Sequence, residues 1–318
     1  MKIWILADDR AGNVNQLLGI AEALKMPFER KDIRYTGWIK LPNLLRGKSL
    51  IGIDDTSKKS LVGPWPDVVL SAGRRSFPVA RYIRKQSGNK TKIVQLMNPG
   101  IAGFREADLV VLPAHDGYRG NTQNVMIVTG SPHRITREKL QEARSKWEPF
   151  FASYPHKRVS LIVGGATKNK PFTADMAIKL ADGVKALKPQ SVLVTTSRRT
   201  PIEVIDALQK ELPRPLYFYR FGDKEENPYF GLLAVADEIV VTGDSMSMCS
   251  ESCATGVPVS IFAPDAMMSS KHKRFHQSLY QNGYAVELGK TTQAPQGTLN
   301  PAFDIAEKIK EWRFDEEK

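Results

Sequence analysis

Residues 240–264, VVTGDSMSMCSESCATGVPVSIFAP, set the carboxylate of Glu251 among small hydroxyl residues and two turn-forming glycines, with Asp244 in the turn that precedes it. Gly243 permits a tight turn, Ser245 or Ser247 supplies an oxygen that caps a helix, and Gly256 followed by Pro258 ends that helix. A helix that opens straight off a buried strand aims its free N–H groups and its positive dipole end at one point outside the sheet, a point that stabilises a phosphate. About one and a half turns further on, Glu251 has the reach and charge to accept from the hydroxyl pair of a ribose, as acidic side chains do in dinucleotide folds. The same string also reads as an ordinary strand-turn-helix of an α/β protein.

Other polar groups sit at strand ends. The apolar run KIWILA leads into Asp8-Asp9-Arg10-Ala11-Gly12-Asn13, where Gly12 reads as a turn and Asn13 as a helix cap. Ala72-Gly73-Arg74-Arg75, Ala114-His115-Asp116-Gly117 and Gly130-Ser131-Pro132-His133-Arg134 are predicted to be loops after later strands, gathered at the same sheet edge. For each histidine a structural role competes with catalysis. In the second half, VSLIVGG leads into a loop over residues 166–170, and SVLVTT into Ser197-Arg198-Arg199-Thr200. Cys249 and Cys253, four apart on one predicted helix, read as small buried residues, and with no His or carboxylate partner at suitable spacing no metal site is expected. The string GxGxxG is missing, the nearest approach to a phosphate loop (residues 283–291) is too long and runs into a Pro/Gln-rich connector, and there is no GxSxG elbow, HExxH or EF-hand loop.

The elements that must position these groups alternate. Strands are predicted at residues 28–33, 67–71, 92–96, 109–112 and 125–129, with a helix over 14–24 and another over 77–85. A helix over 136–153 breaks near Tyr154-Pro155. The plan then repeats, with strands at 159–163, 191–195, 216–219, 238–242 and 259–262 separated by helices. This organisation predicts an α/β fold of two Rossmann-like doubly wound domains facing each other across a cleft, the first over residues 1–154 and the second over 155–295. A C-terminal helical segment, 296–318, is expected to pack back on the first domain.

Bulk properties narrow the partners. The chain has 318 residues, 42% hydrophobic and 25% charged, which is an ordinary globular composition. Its formal net charge of +12 favours an anionic partner, whether nucleotide, nucleic acid or an acidic membrane surface, and without zinc-finger spacing or an aromatic RNA-binding signature nucleic acid is the weaker choice. No apolar run approaches the roughly 20 residues that cross a bilayer, so the expected place is the cytoplasm, peripheral at the inner membrane face.

The stretch around Glu251, Gly256 and Pro258 resembles the donor-binding segment of two-domain glycosyltransferases of the GT-B type, especially the peptidoglycan N-acetylglucosaminyltransferases. Val163-Gly164-Gly165-Ala166-Thr167 is similar to their glycine loop facing a diphosphate. Over nearly its whole length the chain resembles more closely the family named for a plant mitochondrial-fission protein, whose many bacterial members are taken as glycosyltransferases. The shared strings are Asp8…Gly12…Gln16, Gly73-Arg74-Arg75, His115-Asp116, Pro132-His133-Arg134, Thr196 to Pro201, Asn227-Pro228-Tyr229 and Glu251…Gly256…Pro258. One departure matters: the peptidoglycan enzymes place His after the glycine of the first loop, where this chain has Asn13, and an amide is no general base.

The resemblance implies a metal-independent, cofactor-free glycosyltransferase that uses a nucleotide-diphosphate sugar as substrate. Its donor-binding residues would be Gly164, Gly165, Thr167, Ser197, Arg198, Arg199, Ser245, Met246, Ser247 and Glu251, with an arginine offsetting charge on the departing phosphate. Gly12, Asn13, Gln16, Arg74, Arg75 and His133 would lie on the acceptor side. Asp8, then His115 or Asp116, would take the acceptor's proton. The basic surface implies an acidic or lipid-linked acceptor at a membrane. Two alternatives are a non-catalytic membrane-associated scaffold of the fission-protein type and a nucleotide-sugar epimerase of the same architecture.

Overall fold

A computed structural model describes residues 1–100, 103–167, 169–292 and 294–312. Its strands are β1 (Ile3–Ala7), β2 (Phe28–Asp32), β3 (Val68–Ala72), β4 (Lys92–Leu96), β5 (Leu109–Pro113) and β6 (Val125–Val128), then β7 (Arg158–Val163), β8 (Ser191–Thr196), β9 (Leu216–Tyr219), β10 (Glu238–Thr242), β11 (Val259–Phe262) and β12 (Val286–Glu287). They form two six-stranded sheets, ordered β2-β1-β3-β4-β5-β6 and β12-β11-β10-β7-β8-β9, with every ladder parallel. The second runs outward in both directions from β7, as a Rossmann sheet runs from its first strand. The short edge strand β12 carries no apolar run of its own and was not expected from the sequence.

Parallel strands covered by helices on both faces are apolar on both faces, and β1 shows it. Ile3 and Ile5 join Leu17, Ile20, Val68 and Val94 on one side, while Trp4 and Leu6 join Phe77, Ile83 and Ile93 on the other. In the second sheet Ile239 and Val241 enter one core with Cys249 and Phe275, and Val240 enters the opposite one with Leu161 and Val194.

The chain divides into two compact units, residues 1–134 with 301–318 and residues 135–300. This moves the boundary from the expected Tyr154/Pro155 to Arg134/Ile135. The helix Arg137–Trp147 and the residues after it pack on the second sheet: Phe151 stacks with Trp147 and meets Tyr217 edge-on at 5.0 Å. Gly231 lies so close that a Cβ there would fall 2.4 Å from the Trp147 ring. Arg158 fastens this aromatic segment by donating to Tyr154 O (2.8 Å) and Phe151 O (3.0 Å). In the other direction the helix Pro301–Lys310 lays Ala302, Ile305, Ala306 and Ile309 into the core of the first unit beside Leu17, Ile20 and Leu24. Residues 296–300 stay with the second unit, Leu299 in its core, and residues 313–318 of the expected C-terminal segment lie outside the described residues.

Three local expectations change, the first being that Gly12, read as a turn, lies inside the helix Ala11–Ala23. Ala72-Gly73-Arg74-Arg75 is no loop: the helix Gly73–Gln86 starts directly after β3, and Gly73 makes the joint with a φ of +73° that favours glycine. Asn13 does not cap its helix, which spans Ala11–Ala23 after Arg10, so its amide is available for other contacts.

Candidate functional site

β7 and β10 are neighbours where the second sheet reverses its order, and their carboxyl ends are the place where such sheets keep ligands. Gly164 N–H donates to Thr242 Oγ1 (2.7 Å), and Gly165 N–H donates to Asp244 Oδ2 (2.8 Å). The Thr242 hydroxyl donates to Asp244 Oδ1 (2.8 Å), and Arg199 Nη2 donates to Asp244 Oδ2 (2.9 Å). With its side chain 1% exposed, Asp244 is a buried anion offset by one guanidinium and one backbone amide. Both glycines are fixed by close approach: a Cβ on Gly164 would lie 2.2 Å from Asp244 Oδ1, and one on Gly165 2.1 Å from Arg199 O. The amide protons of Gly164 and Gly165, expected to face a diphosphate, are therefore engaged by Thr242 and Asp244. Asp244, absent from the expected site residues, is the centre of the cluster.

The neighbouring groups are arranged around it. Thr200 Oγ1 donates to Gly164 O, and Ser197 N–H donates to Thr200 Oγ1 (2.9 Å), so the 197–200 loop is tied to the glycine loop. Arg198 is exposed and makes no ion pair among the described residues. Thr167 is exposed and pairs with Lys170 through backbone bonds of 2.9 and 3.2 Å. Ser245, and not Ser247, caps the helix Met246–Ser252 by accepting from Met248 N (3.4 Å). Met246 and Ser247 are half-buried in its first turn, and Cys249 and Cys253 are buried, free thiols inside the core.

Glu251 sits further along this helix, half-buried, and its Oε2 accepts a short hydrogen bond from the Tyr229 hydroxyl. Burial pushes the Glu251 carboxyl up from 4.5 to about 7, against the opposing effect of the Tyr229 hydrogen bond. Burial, then the Glu251 charge, pushes the Tyr229 hydroxyl well up, so it remains a donor. Tyr229 belongs to a string noted in the sequence without a role there. Its contact with a residue far along the chain carries no local signal.

Two histidines escaped sequence reasoning altogether. His276 Nε2–H donates to Gly243 O (2.8 Å), and burial pulls its imidazole down to about 4, so it is neutral and holds the turn before Asp244. Burial likewise lowers His272, which Asp244 partly opposes. Their spacing of four on the helix Ser270–Gln281 was the available clue. Among the described residues no group of three or more His, Cys, Asp or Glu side chains is placed to hold a metal ion.

In the first unit the order reverses between β1 and β3, whose ends carry Asp8 and Gly73. Asp8, with its side chain 3% exposed, accepts from Arg10 N (3.0 Å), Asn13 Nδ2 (3.5 Å) and Arg75 Nη2 (3.1 Å). Arg75 also pairs with Asp9 and lies over the Tyr35 ring at 4.5 Å. Gly12 opens onto free space, Gln16 is half-buried and Arg74 is exposed. His115 and Asp116 occupy a turn after β5, their side chains 4.0 Å apart. β5 lies two strand spacings from β3, roughly 10 Å, so the structure brings together Asp8, Asn13 and Arg75 and sets His115–Asp116 apart from them. His133 is buried, and its carbonyl packs on the helix at Gly19, where a Cβ would fall 2.5 Å from His133 O.

Comparison with solved structures gives the same architecture. A UDP-GlcNAc 2-epimerase from Methanocaldococcus jannaschii superposes with a TM-score of 0.53 at 15% identity, over 98% of this chain and 100% of that one. MurG from Acinetobacter baumannii superposes with a TM-score of 0.52 at 12% identity, again over 98% and 100%. At such identities the likeness is one of fold: two Rossmann-like units of the GT-B kind. Among sequence relatives, an uncharacterized protein of Rickettsia prowazekii is 28% identical over 98% of both chains. Mitochondrial fission protein ELM1 of Arabidopsis thaliana is 30% identical over 80% of this chain and 65% of its own length. With residues 11–312 matching the family as a whole, the chain belongs to the mitochondrial fission ELM1 family.

Proposed function

We propose that the second unit binds a nucleotide-diphosphate sugar at the carboxyl ends of β7 and β10, and that the protein is a glycosyltransferase. The observation that carries this reading is Glu251. A carboxyl group is held near neutrality by burial, one oxygen is fixed by Tyr229, and the other makes no hydrogen bond among the described residues. That geometry suits two adjacent ribose hydroxyls, which would stabilise the ionised form. Ser245, Ser247 and Arg198 are the groups left for the diphosphate, with Arg198 offsetting charge as the sugar departs. The acceptor would be handled by Asp8, Asn13 and Arg75 in the first unit, and its hydroxyl proton would pass to Asp8. The expected metal independence enters as part of this proposal. Relatives of this fold are named as binding UDP and UDP-GlcNAc, which supports the donor class.

One observation favours a second reading. Asp244 holds the position where a glycine-loop amide and an arginine would otherwise meet phosphate, and its charge repels a second anion there. A chain that keeps the fold as a scaffold would look the same. Titration calorimetry against a panel of nucleoside diphosphates separates the two: binding that Glu251→Ala abolishes supports the transferase, and no binding by the wild-type chain overturns it. Nucleoside diphosphate released from a bound donor only when an acceptor is present distinguishes transfer from epimerisation.

A further inference from the structure

Residues 35–53 form a closed loop on the first unit. Tyr35 and Ile53 bridge its ends in antiparallel register, and Thr36 N–H donates to Gly52 O (3.0 Å). Between them lie a 3₁₀ turn, Gly37–Lys40, and a one-turn helix, Asn43–Arg46. Polar ties hold the interior. Arg46, 1% exposed, donates to Ile51 O (3.1 Å) and Arg75 O (3.1 Å), Arg81 donates to Gly47 O (3.1 Å), and Asn43 donates to Arg74 O (2.9 Å).

The outside inverts the usual arrangement. Trp38 is 66% exposed, Leu44 87%, Leu45 66% and Ile51 46%. A fixed loop that turns its arginine inward and its largest apolar side chains outward forgoes burial worth roughly 1.5 kcal/mol or more per side chain. The charges within the loop have one sign, although Asp54 and Asp55 follow it directly. No Asp or Glu occurs in residues 35–53, whereas Lys40 and Lys48 are exposed on the loop and Arg74 is exposed at its base. Among the described residues Lys48 alone of these three is paired, with Glu106 at 3.5 Å.

From these features we propose that residues 35–53 dock the protein on an anionic lipid surface. Trp38, Leu44, Leu45 and Ile51 enter the headgroup boundary, and Lys40, Lys48 and Arg74 meet the lipid phosphates. Tryptophan is suited to that boundary because its ring is apolar and its N–H is polar, and each nearby lysine adds attraction to an anionic leaflet. The lack of acidic residues favours lipid over a basic protein partner. Because Tyr35 stacks on Arg75, docking would hold the Asp8–Arg75 pair beside the bilayer. A lipid-linked acceptor would follow from that only if the transferase reading holds; the docking itself does not depend on it.

The test is co-sedimentation of the full chain with vesicles of phosphatidylcholine alone and of phosphatidylcholine mixed with phosphatidylglycerol. The wild-type chain is expected to follow the mixed vesicles, and Leu44→Asp with Leu45→Asp to lower that partitioning by roughly 100-fold with an unchanged melting temperature. Lys40→Glu should lower it on the order of tenfold and make the remainder less sensitive to salt. Quenching by brominated lipid should be lost in Trp38→Phe. A wild-type chain that stays in the supernatant, or a double-aspartate variant that sediments like wild type, overturns the proposal. So does a dimer in solution that the double variant abolishes while vesicles bind neither form, because the patch then belongs to a second copy. None of these readings uses nucleotide, so failure here leaves the calorimetric test of the donor site intact.

Discussion

Replacing Glu251 by Gln removes a charge and keeps the shape and the Tyr229 hydrogen bond. Burial holds the carboxyl at about 7 instead of 4.5. Between those values the folded chain keeps a proton that the unfolded chain has released, so this group's contribution falls as pH rises through the window and stays low above about 7. At about 1.4 kcal/mol for each tenfold change in proton affinity, ionised Glu251 costs the fold roughly 3 kcal/mol at pH 8. Glu251→Gln should therefore be the more stable protein at pH 8, by up to that amount or about 5 to 10 °C in melting temperature, and nearly equal to wild type at pH 5. The assay is urea or thermal unfolding of both proteins at the two pH values. Taking the difference cancels other titrating groups, among them His276, whose opposite slope covers part of the same range. The more stable variant should also bind nucleoside diphosphate at least about tenfold more weakly, and wild-type binding should weaken below about pH 7 as the carboxyl takes up its proton. Equal stability at both pH values would refute the buried charge, and a more stable variant with undiminished affinity would refute the ribose role.

Four further changes, one of them with a control at its neighbour, test the rest of the arrangement. Gly165→Ala sets a Cβ against the Arg199 carbonyl and should destabilise by roughly 2 to 3 kcal/mol, measured as a lower urea midpoint; no loss would mean that the two loops separate easily. Asp244→Asn removes the anion nearest the proposed phosphates and should tighten nucleoside diphosphate binding in calorimetry, which weaker binding would contradict. Arg75→Gln leaves the Asp8 carboxylate buried without its guanidinium and should lower stability by about 2 kcal/mol, whereas Arg74→Gln, an exposed neighbour, should change it by less than about 0.5 kcal/mol. His276 is neutral because burial pulls it from 6.5 to about 4, so its contribution is lost as pH falls through that interval. His276→Gln should show a correspondingly shallower acid slope in melting temperature.

The inner strands of both sheets were legible because each is a short apolar run between turn residues, and a buried parallel strand needs no more than that; the two-residue edge strand β12 has no such run and was not. The break at Gly256-Val257-Pro258, the strand-to-helix turn at Gly243 and a serine cap before Glu251, narrowed to Ser245 or Ser247, were legible for the same reason: their causes lie within a few residues. Contacts across the sheet were not. Nothing near Asp244 in the chain announces that Gly165 and Arg199 will converge on it, and nothing near Glu251 announces Tyr229. The unit boundary moved for a related reason. Tyr154-Pro155 does end the local structure, but Phe151 and Trp147 are large enough that their packing on the second sheet decides which unit owns them. The sequence by itself determined the α/β plan, the family strings and the chemistry each loop could offer. The tertiary structure alone decided which of those groups meet, because burial and the order of strands set the charge on Glu251 and bring Asp244 to the glycine loop.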